Sequence, residues 1–129
     1  MAHQSVRVTR TGRTYQPKKL SDYKEAIRQA VQEQLPDGFL CIKADTEIHI
    51  KKLHYCYEFP KSFSRLKKEA VTPQYKVTKP DLQDNLNKPL FDALEGLVWE
   101  RDQNVVSMDD LRKYYAQKDL IKMTICWSY

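Results

Sequence analysis

Apolar side chains recur at helical spacing from Ser21 to Leu35: Tyr23, Ala26, Ile27, Ala30, Val31 and Leu35. The spacing predicts an amphipathic helix, opened by Ser21 as N-cap and stopped by Pro36-Asp37-Gly38. From Phe39 to Phe59 the period changes to two. Ile48 and Ile50 alternate with polar residues, then the phase slips by one at Lys51-Lys52, and Leu53, Tyr55, Tyr57 and Phe59 alternate on the new phase. A slip of this kind is either a β-bulge within one strand or the loop of a hairpin. Pro60 ends the region.

Residues 61–70 predict a short basic helix or turn, and Tyr75 to Thr78 a short strand. A second helical stripe follows: Leu82, Leu86, Leu90, Ala93, Leu94 and Leu97, ended at Gly96 or just past it. Pro89 is tolerated only in a first helical turn, so regular helix begins near 85–88. Val105-Val106 and Leu111 to Tyr115 have the composition of strands. Leu120 to Tyr129 alternates strictly, with Ile121, Met123, Ile125, Trp127 and Tyr129 on one face. Strands combined with two or three helices predict an α/β or α+β fold: one small domain, residues 1–129, with a mixed sheet packed by those helices.

Composition narrows the function classes. The chain has 129 residues, 41% hydrophobic and 30% charged, enough for one core. No apolar run approaches the roughly 18 residues that cross a bilayer, and the first ten residues are not of signal-peptide type. A cytosolic protein with no membrane partner is expected. Cys41, Cys56 and Cys126 are odd in number and unpaired in spacing, as reduced packing cysteines are.

The charge is unevenly placed. Residues 81–110 hold eight acids against two bases, a net of −6, while the other 99 residues hold nine acids against 20 bases, a net of +11. An acidic island in a basic chain suggests a metal site within a phosphate-binding surface. Asp81, Asp84 and Asp102 supply hard oxygen ligands of the kind Mg²⁺ takes, and Lys88 supplies an ammonium for the same phosphate. Taken as one helix, residues 81–97 put Asp81, Asp84, Lys88, Asp92 and Glu95 within an arc of about 80°. Spacing alone favours a solvated polar face for that arc. A start near 85–88 would instead leave Asp81 and Asp84 on the lead-in loop, close to helix N-terminal amides.

The segment resembles the RusA family of Holliday junction resolvases, whose motif runs K-P-D-x-D-N-x-x-K, then D-A-L, then W/Y-x-D-D-x-Q-V-V. This chain has Lys79-Pro80-Asp81, Asp84-Asn85, Lys88, Asp92-Ala93-Leu94, Trp99, Asp102 and Val105-Val106 in that order. The start, RVTRTGRTYQPKK, resembles the family's R-x-T-x-x-G-R-x-Y-x-P element. Pro60-Lys61-Ser62 with Ser64 and Lys67-Lys68 resembles P-K-S-x-S-x-K-K, and Arg112-Lys113-Tyr114 resembles R-K-R-Y. The likeness covers most of residues 6–127.

Four departures stand out. Gln83 makes the first acidic pair Asp81-x-x-Asp84, one residue longer than D-x-D. Arg101-Asp102 replaces the D-D pair, and Asn104 replaces the following Gln. The family opens on a strand ahead of its R-x-T element, where this chain has almost no sequence, so residues 1–6 are expected to be irregular or truncated.

The resemblance implies a RusA-like fold and an endodeoxyribonuclease that resolves four-way junctions by paired nicks in DNA recombination and repair. It implies Mg²⁺, with Mn²⁺ as substitute, held by Asp81, Asp84 and Asp102, with Lys88 on the scissile phosphate. It implies a homodimer that acts on branched DNA, in the cytoplasm of a bacterium or encoded by a phage or prophage. Asp92 is expected to be structural, capping or pairing with a base, and Glu100 is a possible fourth acid. Arg7, Arg10, Arg13, Lys18, Lys19, Lys61, Arg65, Lys67 and Lys68 are the expected phosphate contacts. Tyr15, Phe63 and Trp99 are candidates to stack on bases, although core positions suit each as well. The alternative is a basic DNA-binding protein of the same fold that cleaves weakly or not at all.

Overall fold

The computed structural model describes residues 2–9, 20–69 and 74–128. Along the chain run β1 (Ala2–Thr9), α1 (Leu20–Gln34), β2 (Ile48–Glu58), α2 (Arg65–Lys68), a π-helical turn (Leu82–Asn87), α3 (Lys88–Leu94), a 3-10 turn (Asp102–Asn104), β3 (Val105–Met108), β4 (Leu111–Ala116) and β5 (Leu120–Trp127). The expected mixed sheet with helices is present. Its order is β1-β5-β2, and β2's far edge pairs first with β3 and then with β4. β3 and β4 therefore share one lane, parallel to β2, while β5 is antiparallel to both β2 and β1. Among the described residues no helix is long and apolar enough to cross a membrane.

The N-terminus corrects the expectation of an irregular start. Residues 2–9 form a strand, paired residue for residue with β5 from Ala2 opposite Trp127 to Thr9 opposite Leu120. The strictly alternating last strand offers a long edge, and the short N-terminal segment completes its hydrogen bonds. Two smaller corrections concern local structure. Ser21 lies inside the first turn of α1 rather than capping it. Tyr75 makes only an isolated bridge to Tyr114 instead of opening a strand.

The phase slip in β2 is a bulge, not a hairpin. Pairing with β5 shifts register between Ile50 and Lys52. The extra residue, Lys51, is exposed, and Ile48, Ile50, Leu53 and Tyr55 all turn to the core despite the slip. On that face they meet Ile121, Met123, Ile125 and Trp127 of β5, Ile27 and Val31 of α1, and Leu86, Leu90, Ala93 and Leu94 from the π-turn and α3. The apolar face of the last strand is thus covered within the protomer. Each Leu or Ile in this cluster contributes about 2–5 kcal/mol against truncation to Ala.

Helix α1 packs on α3 and fixes its end. The guanidinium of Arg28 donates to the carbonyls of Ala93 (2.7 Å) and Glu95 (3.3 Å), which the helix leaves open. Gly96 follows at φ 83°, a conformation that suits glycine, and its N–H donates to Trp99 O at 2.7 Å. The three cysteines are in no disulfide, Cys56 and Cys126 buried and Cys41 partly so.

Candidate active site

The stripe expected as one helix over 81–97 is two pieces. Leu82–Asn87 winds as a π-turn and Lys88–Leu94 as α-helix, with Pro89 in the first turn of the latter. A π-turn takes one more residue per closed ring than an α-turn, which is how a single inserted residue is accommodated in a helix. The residue that lengthens Asp81-x-x-Asp84 is absorbed there. Asn85 and Lys88 are exposed, while Leu86, Leu90 and Leu94 are buried.

Asp81 caps the turn. Its Oδ1 accepts from Asp84 N (2.8 Å) and Asn85 N (3.3 Å), and Asn85 Oδ1 accepts from Asp81 N (3.3 Å). This is a reciprocal cap that satisfies amides a helix start leaves open. The turn is strapped to the sheet at both ends. Before it, Lys113 of β4 donates from Nζ to Thr78 O (2.7 Å) and Pro80 O (2.6 Å). At its close, the buried Tyr55 of β2 donates from its hydroxyl to Asn87 Oδ1 at 2.8 Å. Burial pushes the Tyr55 phenol far above its ordinary range, with Tyr23 and Tyr57 adding to the effect, so it stays a donor.

Asp102 sits in a second cradle. Trp99, fully buried and edge-on to Phe91, donates from its indole Nε1 to Asp102 Oδ1 at 3.0 Å. The Asp102 amide donates to Glu95 Oε2 at 2.9 Å. Asn104, also buried, spends its amide on Lys43 O (2.9 Å) and Thr46 O (2.8 Å) and accepts from Arg101 N at 3.0 Å, which pins the 3-10 turn. Burial raises the Asp102 carboxyl above the usual range, and the charges of Glu95 and Asp92 raise it further; the Trp99 bond opposes them.

The donor set has the chemistry of a hard-cation site. Asp81 and Asp84 meet through the cap, and Asp102 meets Glu95. Among the described residues no three acid, histidine or cysteine side chains converge closely enough to hold one ion. Lys88 is exposed and, among the described residues, in no ion pair.

Other expected residues fall as follows. Asp92 is paired with Lys24 at 3.2 Å, the pairing with a base expected for it. Glu100 accepts from Ala44 N at 2.9 Å. Trp99 is buried and cannot stack on bases. Phe63 packs on Phe59 and Tyr115, with Lys67 Nζ 4.0 Å over its ring. Lys61, Arg65 and Lys67 are exposed and Lys68 half-exposed, all within one short segment after β2; Arg65 also pairs with Glu69 at 3.0 Å. Arg7 lies on β1, and Arg10, Arg13, Tyr15, Lys18 and Lys19 fall outside the described residues. Sequence reasoning gave no site role to Glu95, Asn104, Lys113 or Tyr55. Only Glu95 carried a signal, its place one turn after Asp92 on the polar arc.

No curated protein matches the chain. The family model of Endodeoxyribonuclease RusA matches residues 1–126, nearly the whole length. All of the sheet but the last residue of β5, the acid-bearing turn ahead of α3 and the buried Trp that orients a further acid lie within that match, and the chain belongs to the RusA endodeoxyribonuclease family.

Proposed function

We propose that the protein is a divalent-cation-dependent endonuclease that resolves four-way DNA junctions by paired nicks. The observation that carries this reading is the fixed Asp102. A carboxylate bonded to a buried indole, on a turn clamped by a buried Asn, is oriented before substrate arrives. Family membership supports nuclease chemistry, and the charge asymmetry supports a polyanionic substrate.

In this reading Asp81, Asp84 and Asp102 are the ligands of Mg²⁺, or of Mn²⁺ in its place. That the three hold one ion together is part of the proposal. Lys88 brings an unpaired ammonium to the scissile phosphate, where it stabilises charge that develops during cleavage. The basic segment Lys61, Arg65, Lys67 and Lys68, with Arg7, Arg10, Arg13, Lys18 and Lys19, supplies phosphate contacts. Two opposed nicks in a four-armed substrate call for two sites in two-fold relation, which a homodimer provides.

The lengthened Asp81-x-x-Asp84 spacing favours a second reading, a DNA-binding protein of the same fold that cuts weakly or not at all. A synthetic four-way junction decides between them. The nuclease reading expects symmetric nicks that EDTA abolishes, and an Asp84→Asn protein that binds the junction without cutting it. A salt-sensitive gel shift with no cleavage in any divalent cation would leave only the second reading. Light scattering that gives one protomer at working concentration would remove the dimer.

A further inference from the structure

We infer that Lys113 is a positioning residue for cleavage: its ammonium sets the place of the acid-bearing turn against the sheet. The inference rests on the nuclease reading above. Lys113 lies mid-way along β4, which pairs with β2 in the interior of the sheet. Its own backbone is committed to the preceding segment, for Lys113 O accepts from Lys76 N (3.1 Å) and Tyr115 N donates to Gln74 O (2.9 Å). Those bonds hold residues 74–76 alongside β4. Beyond Lys76 the chain leaves the strand, and side chains must take over.

Two ammonium groups do so. Lys76 Nζ donates to Thr78 Oγ1 at 2.8 Å, an attachment of the segment to itself. Lys113 Nζ donates to Thr78 O and Pro80 O, an attachment to the sheet. Pro80 O belongs to the peptide that leads into Asp81. From there the contacts run without a gap: Asp81 Oδ1 holds Asp84 N, and the turn continues to Lys88. Tyr55 fixes the far end at Asn87. Removing Lys113 frees one end of a turn whose other end stays anchored, so Asp81 and Asp84 can swing while the fold remains. Half-burial and two backbone carbonyls at short range make Lys113 a poor phosphate ligand, since both interactions would have to break first.

The experiment uses the full chain in three forms: wild type, Lys113→Met and Lys113→Arg. Methionine keeps the length of the stem and removes the donors. Single-turnover cleavage of a four-way junction at saturating protein should fall about 10–100-fold in Lys113→Met, the size usual for residues that orient a site from behind. Junction affinity should change less than about twofold, and Lys113→Arg, which keeps charge and several donors, should recover most of the rate. Hydrogen exchange at the Asp84 and Asn85 amides should quicken in Lys113→Met, with exchange in β5 unaltered. A phosphate ligand would instead weaken binding and flatten its salt dependence, which overturns the inference. So does an unaltered rate or unaltered exchange at those amides. If Lys113→Met does not fold, the Arg variant decides: wild-type rate and exchange support the strap, and a rate lost with intact amide protection overturns it. A wild type that leaves the junction whole brings down the nuclease reading and this inference together.

Discussion

The indole of Trp99 donates to Asp102 at 3.0 Å from a side chain with no solvent exposure. A core residue thereby sets the orientation and acidity of a candidate catalytic acid. Packing against Phe91 fixes the indole plane, and the plane fixes the direction of the N–H.

Trp99→Phe should separate these two contributions. Most of the packing survives, and the hydrogen bond does not. Stability should drop by about 1–3 kcal/mol, from the lost bond and the smaller ring. The bond lowers the Asp102 carboxyl against burial and the charges of Glu95 and Asp92, so its loss raises that carboxyl further. Cleavage that needs ionised Asp102 should then show its acid limb displaced to higher pH. A pH–rate profile checks this, and a profile that only scales down without moving would place Asp102 outside the chemistry.

Much of the fold could be read from periodicity. The α1 stripe, the alternation of β5 and the slip at Lys51-Lys52 each reflect one face meeting the core, and a buried face leaves its period in the sequence. β1 was not legible because its pairing is dictated by the free edge of β5, more than a hundred residues away. The π-turn was half legible: Pro89 and the extra Gln83 signalled a break, but not whether the backbone would loop out or wind wider. In the site, the acids and Lys88 were visible by type. Asn104, Tyr55 and Lys113 were not, because each acts through a hydrogen bond to a distant backbone or amide group, and such a bond has no spacing.

Lys88→Ala should cost turnover rather than affinity. Lys88 follows Asp84 by four residues, across the π-turn, and makes no ion pair among the described residues. The bland role for it, pairing on the helix surface, has lost one partner, since Asp92 is held by Lys24. An interaction felt mainly in the transition state lowers the rate and spares binding. The loss should be on the order of 10²–10³ in single-turnover rate. An unchanged rate would remove Lys88 from the site.

Replacement of Lys67 and Lys68 by Ala should flatten the salt dependence of junction binding. Each phosphate contact contributes about −0.9 to the log–log slope on duplex arms. Lys67 also lies over the Phe63 ring, so part of its charge is engaged with the protein, and the combined change should fall short of two full contacts. Binding titrations across a salt series measure it, and an unchanged slope would move the DNA surface away from this segment.

The last prediction concerns pH and the sheet face opposite the core. His54 is buried, with Nε2 2.9 Å from Asp110 Oδ2 and Nδ1 3.0 Å from the Tyr114 hydroxyl. An ionised Asp110, which also pairs with Arg112, makes Nε2 the protonated nitrogen, and Tyr114 then donates to Nδ1. Burial lowers the His54 pKa, with Lys52 and Arg112 acting the same way, and they outweigh the attraction of Asp110. The folded protein therefore binds this proton less readily than the unfolded chain, whose histidine titrates near 6.5. Stability from His54 is complete above roughly pH 6.5 and is lost as pH falls through the lower folded value. One proton changes stability by at most about 1.4 kcal/mol per pH unit in that window. His54→Gln, neutral at every pH, should flatten the acid side of the stability curve between about pH 5 and 6.5, above the range where ordinary carboxylates titrate. Denaturant midpoints at half-unit intervals test this, and equal slopes in the two proteins would show that folded His54 takes up its proton at the same pH as the unfolded chain.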